Sequence, residues 1–355
     1  MLRILIAEDS QVIQRTLRAL LEGEPDIEVV GVAGNGREAL RLCHDLRPDL
    51  VTMDIFMPEM DGLEATRRIM EECPTRIVII SAMVGARDMS SSFEAMRAGA
   101  VEVIGKPHGV LAGNYSEVKQ SLARVLQKVA MARPAAQLSW LPPPRQSLPT
   151  PAPGVARTAP SVRHLPEAFE PDVVCIGGST GAPTVIVEVL SKLPAAYRYP
   201  IVIAQHIAKG FAEGFAAWLD SVVPLAVKVA SERETPRPGL VLVAPDTRNL
   251  VFTGPGKYDL VAPADPRQHI PSIDALFRSA AAVHKNRVLG ALLSGMGRDG
   301  ADGLAAISAA GGVTLAQSEA TSVVYGMAKV ACEAGAVMES VSPQRLAGIL
   351  LAYGI

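Results

Sequence analysis

The chain has 355 residues, more than one ordinary core holds, so two domains and a connector are expected. A hydrophobic content of 49% and a mean hydropathy of +0.24 exclude a disordered chain, and no apolar run reaches the roughly 18 to 20 residues that span a bilayer. A net charge of −2 argues against electrostatic binding of nucleic acid or of an anionic membrane as the main activity; acidic residues close behind Met1 do not fit a signal peptide, so a cytoplasmic protein is expected.

Leu2 to Ala7 reads as a buried strand, followed by Ser10 as a helix cap and a helix that carries Val12, Ile13, Leu17, Leu20 and Leu21 on one face. Short apolar strands recur at Val29 to Ala33, Leu50 to Met53, Ile77 to Ser81 and Val101 to Ile104, with helical patterns at 36 to 46, 62 to 72 and 88 to 98. Alternating buried strands and helices predict a parallel, doubly wound α/β sheet. In such sheets chemistry collects at the carboxyl ends of the strands. Glu8 and Asp9 end the first strand, Asp54 the third, Ser81 the fourth and Lys106 the fifth. Three carboxylates at one edge repel unless a hard cation lies among them, and oxygen donors suit Mg²⁺. With a lysine and a hydroxyl beside them they could hold a phosphoryl group, Asp54 acting as nucleophile. The alternative for these residues is a solvated acidic rim.

These residues, with Met53-Asp54-Ile55-Phe56-Met57-Pro58-Glu59-Met60-Asp61-Gly62, Ser81-Ala82 and Lys106-Pro107, give residues 1–125 a resemblance to a response-regulator receiver domain. The resemblance implies that Asp54 takes phosphate from a histidine kinase, that Glu8, Asp9 and Asp54 hold Mg²⁺, and that Ser81 and Lys106 contact the phosphoryl oxygens. Receivers often carry an aromatic switch residue three positions before the lysine; here that position is Val103.

A helical pattern in Val118, Leu122, Val125, Leu126 and Val129 runs to about Ala132. Ten prolines then fall within Pro134 to Pro171, which predicts a semi-stiff linker over 133–171 with no core of its own. Trp140 is its one large aromatic.

The second domain is expected over 172–355. Val173 to Ile176 is an apolar strand that runs into Gly177-Gly178-Ser179-Thr180-Gly181, a G-x-S-x-G pattern. Glycines permit a sharp strand-to-helix corner that lifts a serine out of the sheet edge, at a helix N-terminus able to stabilise an oxyanion. A turn that only packs tightly or binds a phosphate is the other reading. A helix from Pro183 to Leu193 leads to the strand Pro200 to Ala204, which ends in Gln205-His206, and then to a helix with Phe211, Phe215, Trp218 and Leu219. Shorter strands follow at Leu225 to Val229, Leu240 to Ala244, Leu250 to Thr253 and Tyr258 to Val261, joined by turns such as Arg237-Pro238-Gly239 and Gly254-Pro255-Gly256. A helix at 272 to 284 precedes the strand Val288 to Leu293 and Ser294-Gly295-Met296-Gly297-Arg298-Asp299-Gly300; a helix, the strand Val313 to Ala316 and two terminal helices finish the chain.

Ser179, His206 and Asp299 thus close three strands, and parallel strands would bring them to one edge. A serine needs a base to take its proton, and a carboxylate fixes that base's tautomer. The order Ser, His, Asp differs from that of the α/β-hydrolases. His269, in a loop, and His284, in a helix, compete with His206; Asp302, one helical turn on, competes with Asp299. The six histidines form no zinc-ligand spacing, and Cys43, Cys73, Cys175 and Cys332 read as reduced, small hydrophobes.

Residues 170 to 355 resemble the catalytic domain of the chemotaxis receptor methylesterases. The resemblance rests on Ile176-Gly177-Gly178-Ser179-Thr180-Gly181, Gln205-His206, Ala244-Pro245, Pro271-Ser272-Ile273-Asp274, Ser294 to Gly300 and Ala316-Gln317. It implies Ser179 as nucleophile, His206 as base and Asp299 as its orienting acid, with no metal at this site. It further implies glutamate methyl esters on chemoreceptor helices as substrate and deamidation of specific receptor glutamines. Family members often read G-A-S-T-G-G where this chain has Gly178 and Ala182. A response regulator whose second domain only binds a partner, and a serine esterase acting on a small metabolite, are the competing functions.

Overall fold

A computed structural model describes residues 1–81, 86–107, 115–132 and 165–354, apart from 233, 264, 266 and 267, and without the side chains of 86–90 and 117. Ala82, Trp140 and all but the last two prolines of the proline-rich stretch lie outside the described residues.

Both halves are α/β. In the first, β1 (Leu2–Ala7), α1 (Gln11–Leu21), β2 (Ile27–Ala33), α2 (Gly36–Leu46), β3 (Leu50–Met53), α3 (Gly62–Glu72), β4 (Arg76–Ser81), α4 (Ala86–Arg97), β5 (Glu102–Gly105) and α5 (Tyr115–Ala130) alternate without exception. The strands form one parallel sheet in the order β2-β1-β3-β4-β5. Its central strands β1 and β3 are apolar runs because helices cover both faces: Ile4, Leu5, Ile6, Leu50 and Val51 are fully buried. Ser10 stands at the N-cap of α1, but its hydroxyl makes no capping bond; instead its amide donates to Glu8 Oε1 at 3.1 Å.

In the second half β6 (Val173–Gly178), α6 (Ala182–Leu190), β7 (Ile201–Gln205), α7 (Ala212–Val222), β8 (Ala226–Val229) and β9 (Leu240–Val243) come first. The chain continues through β10 (Asn249–Gly254), β11 (Lys257–Val261), α8 (Ile273–His284), β12 (Val288–Leu292), α9 (Ala301–Ala309), β13 (Val313–Gln317), α10 (Met327–Glu333), β14 (Glu339–Val341) and α11 (Pro343–Gly354). Seven strands make a parallel sheet in the order β14-β13-β12-β6-β7-β9-β8. β10 and β11 stand apart as an antiparallel hairpin, whose turn residue Gly256 has φ +66°. β14 is an element that the sequence pattern does not signal. Strand β6 lies at the centre, flanked by its successor β7 on one side and by the distant β12 on the other. That is a topological switch point, where an open α/β sheet leaves a crevice beyond its strand ends.

The halves touch along an apolar seam. Phe93 of α4 packs 5.3 Å from Trp218 and 5.5 Å from Phe215 of α7, centroid to centroid, and the Trp218 indole N–H donates to Glu94 Oε1 at 3.3 Å. Phe93, Phe215 and Trp218 are all buried. Each such side chain contributes about 1.5–3 kcal/mol by leaving water, and an aromatic pair about 0.5–1.5 kcal/mol more. Val323 and Val324, from the loop after β13, join the cluster built on β1, β4 and α5. Residues 165–171 lie on the second half, with Phe169 5.4 Å from Tyr353 of α11 and the Tyr353 hydroxyl donating to the Pro166 carbonyl at 2.9 Å.

Candidate functional site

At the carboxyl edge of the first sheet, Glu8, Asp9 and Asp54 bring one oxygen each within 4.8 Å of the others. Glu8 and Asp54 are buried and Asp9 is exposed. Lys106 Nζ lies 2.8 Å from Glu8 Oε2 and 2.9 Å from Asp54 Oδ2. Burial pushes the carboxyls of both Glu8 and Asp54 above the ordinary range; the hydrogen bonds and charge of Lys106 pull the other way without cancelling it. Burial works against the Lys106 ammonium, yet its bonds to Glu8 and Asp54 hold its pKa above the usual lysine value. Two anions sharing one cation in a low-dielectric edge are under-compensated. An all-oxygen donor set with one open, exposed member fits Mg²⁺. Ser81 is buried at the end of β4, and its carbonyl accepts the Lys106 amide at 2.8 Å, which ties both residues to the same rim.

The second sheet brings together the other three candidates. Ser179, His206 and Asp299 follow β6, β7 and β12, three adjacent parallel strands. Ser179 is buried at the corner into α6; Gly181 turns that corner at φ +78°. His206 is tied to the corner by its amide, which donates to the Gly178 carbonyl at 2.9 Å. His206 Nε2 and Asp299 Oδ2 are 2.7 Å apart. Since Asp299 accepts, the ring proton sits on Nε2 and Nδ1 is left basic; buried Nδ1 has no hydrogen-bond partner among the described residues.

Asp299 is held by more than the histidine. Its Oδ2 accepts the Ile273 amide at 2.8 Å, and its Oδ1 accepts the Asp274 amide at 3.0 Å and the Ser272 hydroxyl at 3.2 Å. The carboxylate therefore sits on the N-terminus of α8, where free amides and the helix dipole favour an anion. Burial opposes its charge, but the bonds from His206, Asp274 and Ile273 outweigh that and hold its carboxyl below the ordinary range. Asp302, the competing acid, pairs with Arg278 at 3.1 Å and Arg298 at 2.8 Å instead. Of the competing histidines, His284 pairs with Asp172 at 3.1 Å. His269, by contrast, stacks on His206.

Two buried polar residues that the sequence offers only as parts of motifs prove to be braces. Gln205 Nε2 donates to the carbonyls of Ser179 and His206, each at 2.9 Å, joining the two strand ends. The Ser294 hydroxyl donates to the Thr180 carbonyl at 2.8 Å, and its amide donates to Gln317 Oε1 at 2.8 Å. The departures from G-A-S-T-G-G are adjacent in space: a Cβ at Gly178 would lie 2.5 Å from the Ala182 Cβ and 2.8 Å from Gln205 Oε1, so methyl groups at both positions would crowd each other. This chain carries one, at 182.

A cavity of about 590 Å³ spans the seam between the halves, with Ser179, His206 and His269 on one wall and Glu102, Val103, Val125 and Lys128 on the other. Lys128 Nζ donates to Ser179 Oγ at 3.2 Å, and the Thr180 hydroxyl donates to Glu102 Oε2 at 2.6 Å. Cys43 and Cys175 are buried and Cys73 and Cys332 half-buried, all as free thiols, and no helix among the described residues is long and apolar enough to cross a membrane.

Residues 174–350 match the CheB methylesterase family and residues 4–111 the response regulator receiver domain. A protein-glutamate methylesterase/protein-glutamine glutaminase of Myxococcus xanthus is 43% identical over 98% of this chain and 96% of its own. One from Syntrophus aciditrophicus is 40% identical over 99% of this chain and 98% of its own. Among solved structures, the Thermotoga maritima CheB methylesterase catalytic domain is 31% identical, covering 51% of this chain and 100% of that one at a TM-score of 0.48.

Proposed function

Because the chain belongs to the family of protein-glutamate methylesterases with an attached receiver domain, we propose that it hydrolyses glutamate methyl esters on the cytoplasmic helices of chemoreceptors under the control of phosphorylation at Asp54. The observation that carries the chemistry is the His206–Asp299 bond of 2.7 Å, with Ser179 at the end of the adjacent strand and lining the same cavity as His206. Ser179 Oγ attacks the ester carbonyl while His206 Nδ1 takes its proton, and Asp299 stabilises the imidazolium that results. The same proton passes to the departing methoxide, giving methanol and an acyl-enzyme. Water, deprotonated by His206, then releases the glutamate carboxylate and restores the serine. With a glutamine side chain as substrate the leaving group is ammonia, which is the deamidase reaction. A domain that only binds a partner has no observation in its favour.

In the receiver half Glu8, Asp9 and Asp54 would hold Mg²⁺, whose charge offsets that of an incoming phosphoryl group. Asp54 supplies the accepting oxygen, and Lys106 and Ser81 contact the phosphoryl oxygens. A histidine kinase is the phosphodonor. We read the contacts across the seam as restraint: Lys128 engages the Ser179 hydroxyl, and the receiver wall covers the cavity that a receptor helix must enter. Strand β5 links the two events over four residues, since Lys106 just beyond its end pairs with Asp54 and Glu102 at its start holds Thr180. Val103 lies within that strand, so the relay here works through the strand's position rather than through an aromatic switch.

The test is methanol release from methylated receptor membranes, with small esters in parallel. Ser179→Ala or His206→Ala should lower turnover by about three orders of magnitude or more. Near-normal turnover in a folded Ser179→Ala protein, or equal activity on small esters, overturns the reading.

A further inference from the structure

His206 is held at its edges by hydrogen bonds that leave one motion free. The bond to Asp299 fixes one ring nitrogen, while the His206 amide donates to the Gly178 carbonyl and the His206 carbonyl accepts from the Gln205 side chain, which fixes its main chain. A ring anchored at one nitrogen can still tilt about that bond, and a tilt moves Nδ1 away from the serine; proton transfer requires the two atoms within hydrogen-bond reach. Against the face of this ring lies His269, with centroids 4.4 Å apart and planes 22° from parallel. His269 precedes Pro271 and the run Ser272-Ile273-Asp274, which binds the Asp299 carboxylate. One segment of six residues therefore grips both partners of the pair, the acid through its amides and the imidazole through a stacked ring.

We propose that His269 is a positioning residue for ester hydrolysis, its ring plane holding His206 at the tilt that directs Nδ1 toward the Ser179 hydroxyl. This rests on the reading of Ser179 and His206 given above. The charges around the stack suit the role. His269 faces His206, Asp299 and Lys128; partial burial and then the proximity of His206 hold its pKa below the ordinary imidazole value, against the pull of Asp299. A neutral ring can lie against His206 when that residue takes up the serine proton, where a second cation would repel it. His269 is only partly buried and lines the cavity, so replacing it removes little core packing.

The full-length enzyme, phosphorylated with a small-molecule donor and Mg²⁺, is assayed for methanol release as wild type, His269→Ala, His269→Phe and Ser179→Ala. His269→Ala should lower kcat about tenfold with KM unchanged, as expected for loss of near-attack geometry. His269→Phe, which keeps a flat ring and no titratable group, should restore most of kcat. Circular dichroism and labelling at Asp54 verify that each variant is folded. Equal loss in the Phe and Ala variants, or a rise in KM at constant kcat, overturns the proposal. An active Ser179→Ala protein signals instead that the underlying nucleophile assignment has failed.

Discussion

The two halves each place a candidate functional aspartate in the loop that follows a central parallel strand, yet treat its charge in opposite ways. Asp299 accepts from three backbone amides, those of Ile273, Asp274 and Gly300, and from a hydroxyl and an imidazole, and its acidity is strengthened. Asp54 accepts the Ile55 amide and shares one lysine with Glu8, and burial weakens its acidity. A saturated carboxylate is a fixed part whose work is to orient a neighbour. An under-compensated one leaves room for further charge, which the proposed Mg²⁺ and phosphoryl group would supply. The architecture does not separate the roles; the count of donors aimed at the carboxylate does.

Removal of each aspartate is the most severe test of that contrast. Asp299→Ala should destabilise the second half by about 3 kcal/mol, because buried amides at the start of α8 and the Ser272 hydroxyl lose their acceptor. Asp54→Asn should leave melting unchanged or raise it in metal-free buffer, and should take up no phosphate from a small-molecule donor that labels wild type only with Mg²⁺. pH sharpens the comparison. A carboxyl with a depressed folded pKa stabilises above the unfolded value of about 3.9, and that contribution disappears as pH falls through its lower folded value. Asp299 is of this kind; a raised folded pKa, as for Asp54, has the opposite sign, and protonation relieves the fold. Thermal melts from pH 7 to 3 on the two variants should show the acid-sensitive contribution missing from Asp299→Ala alone.

The contacts that join the halves come next in size. Phe93 stacks on Trp218 across the seam, and Lys128 donates to the Ser179 hydroxyl. Lys128→Met should raise methanol release by the unphosphorylated enzyme about tenfold, or about 1.4 kcal/mol, and shrink the further stimulation by phosphodonor. Phe93→Ala should do the same through a weaker seam. Activation by neither would make the receiver a targeting module rather than a restraint.

What could be read from the chain follows the same division. Strand ends were legible because buried parallel strands are unbroken apolar runs, and a lone Ser, His, Asp or Lys just past one stands out. Asp54, Ser179 and His206 are of this type, while Glu8 stands beside Asp9 and Asp299 lies seven residues beyond β12. The donors around Asp299 were not legible, since Ser272 and Asp274 read locally as an ordinary helix start and acquire their role only when α8 points at the loop after β12. Nor was the seam: Phe215 and Trp218 announce a buried helix face, but not that Phe93, more than a hundred residues earlier, covers it. Strand β14 spans only Glu339–Val341, too short to carry a period.

The smallest expected effect concerns the corner that presents Ser179, where this chain and its family arrange the same methyl group differently. Gly178→Ala places a Cβ 2.5 Å from that of Ala182 and 2.8 Å from Gln205 Oε1. Contacts this close force the corner or the Gln205 brace to shift, at a cost of about 1 kcal/mol, the low end for overpacking. Ala182→Gly alone removes a buried methyl group at the first residue of α6 and should cost a similar amount through lost packing and helix propensity. If the two positions share one methyl-sized space, the costs do not add. The double variant Gly178→Ala/Ala182→Gly, which restores the pattern common in the family, should lie near wild type in both stability and turnover, with a coupling energy about as large as the single losses. Denaturant melts of the four proteins measure it. Additive losses would mean that residue 182 does not set what position 178 can hold, and that Gly178 serves the approach of Gln205 alone.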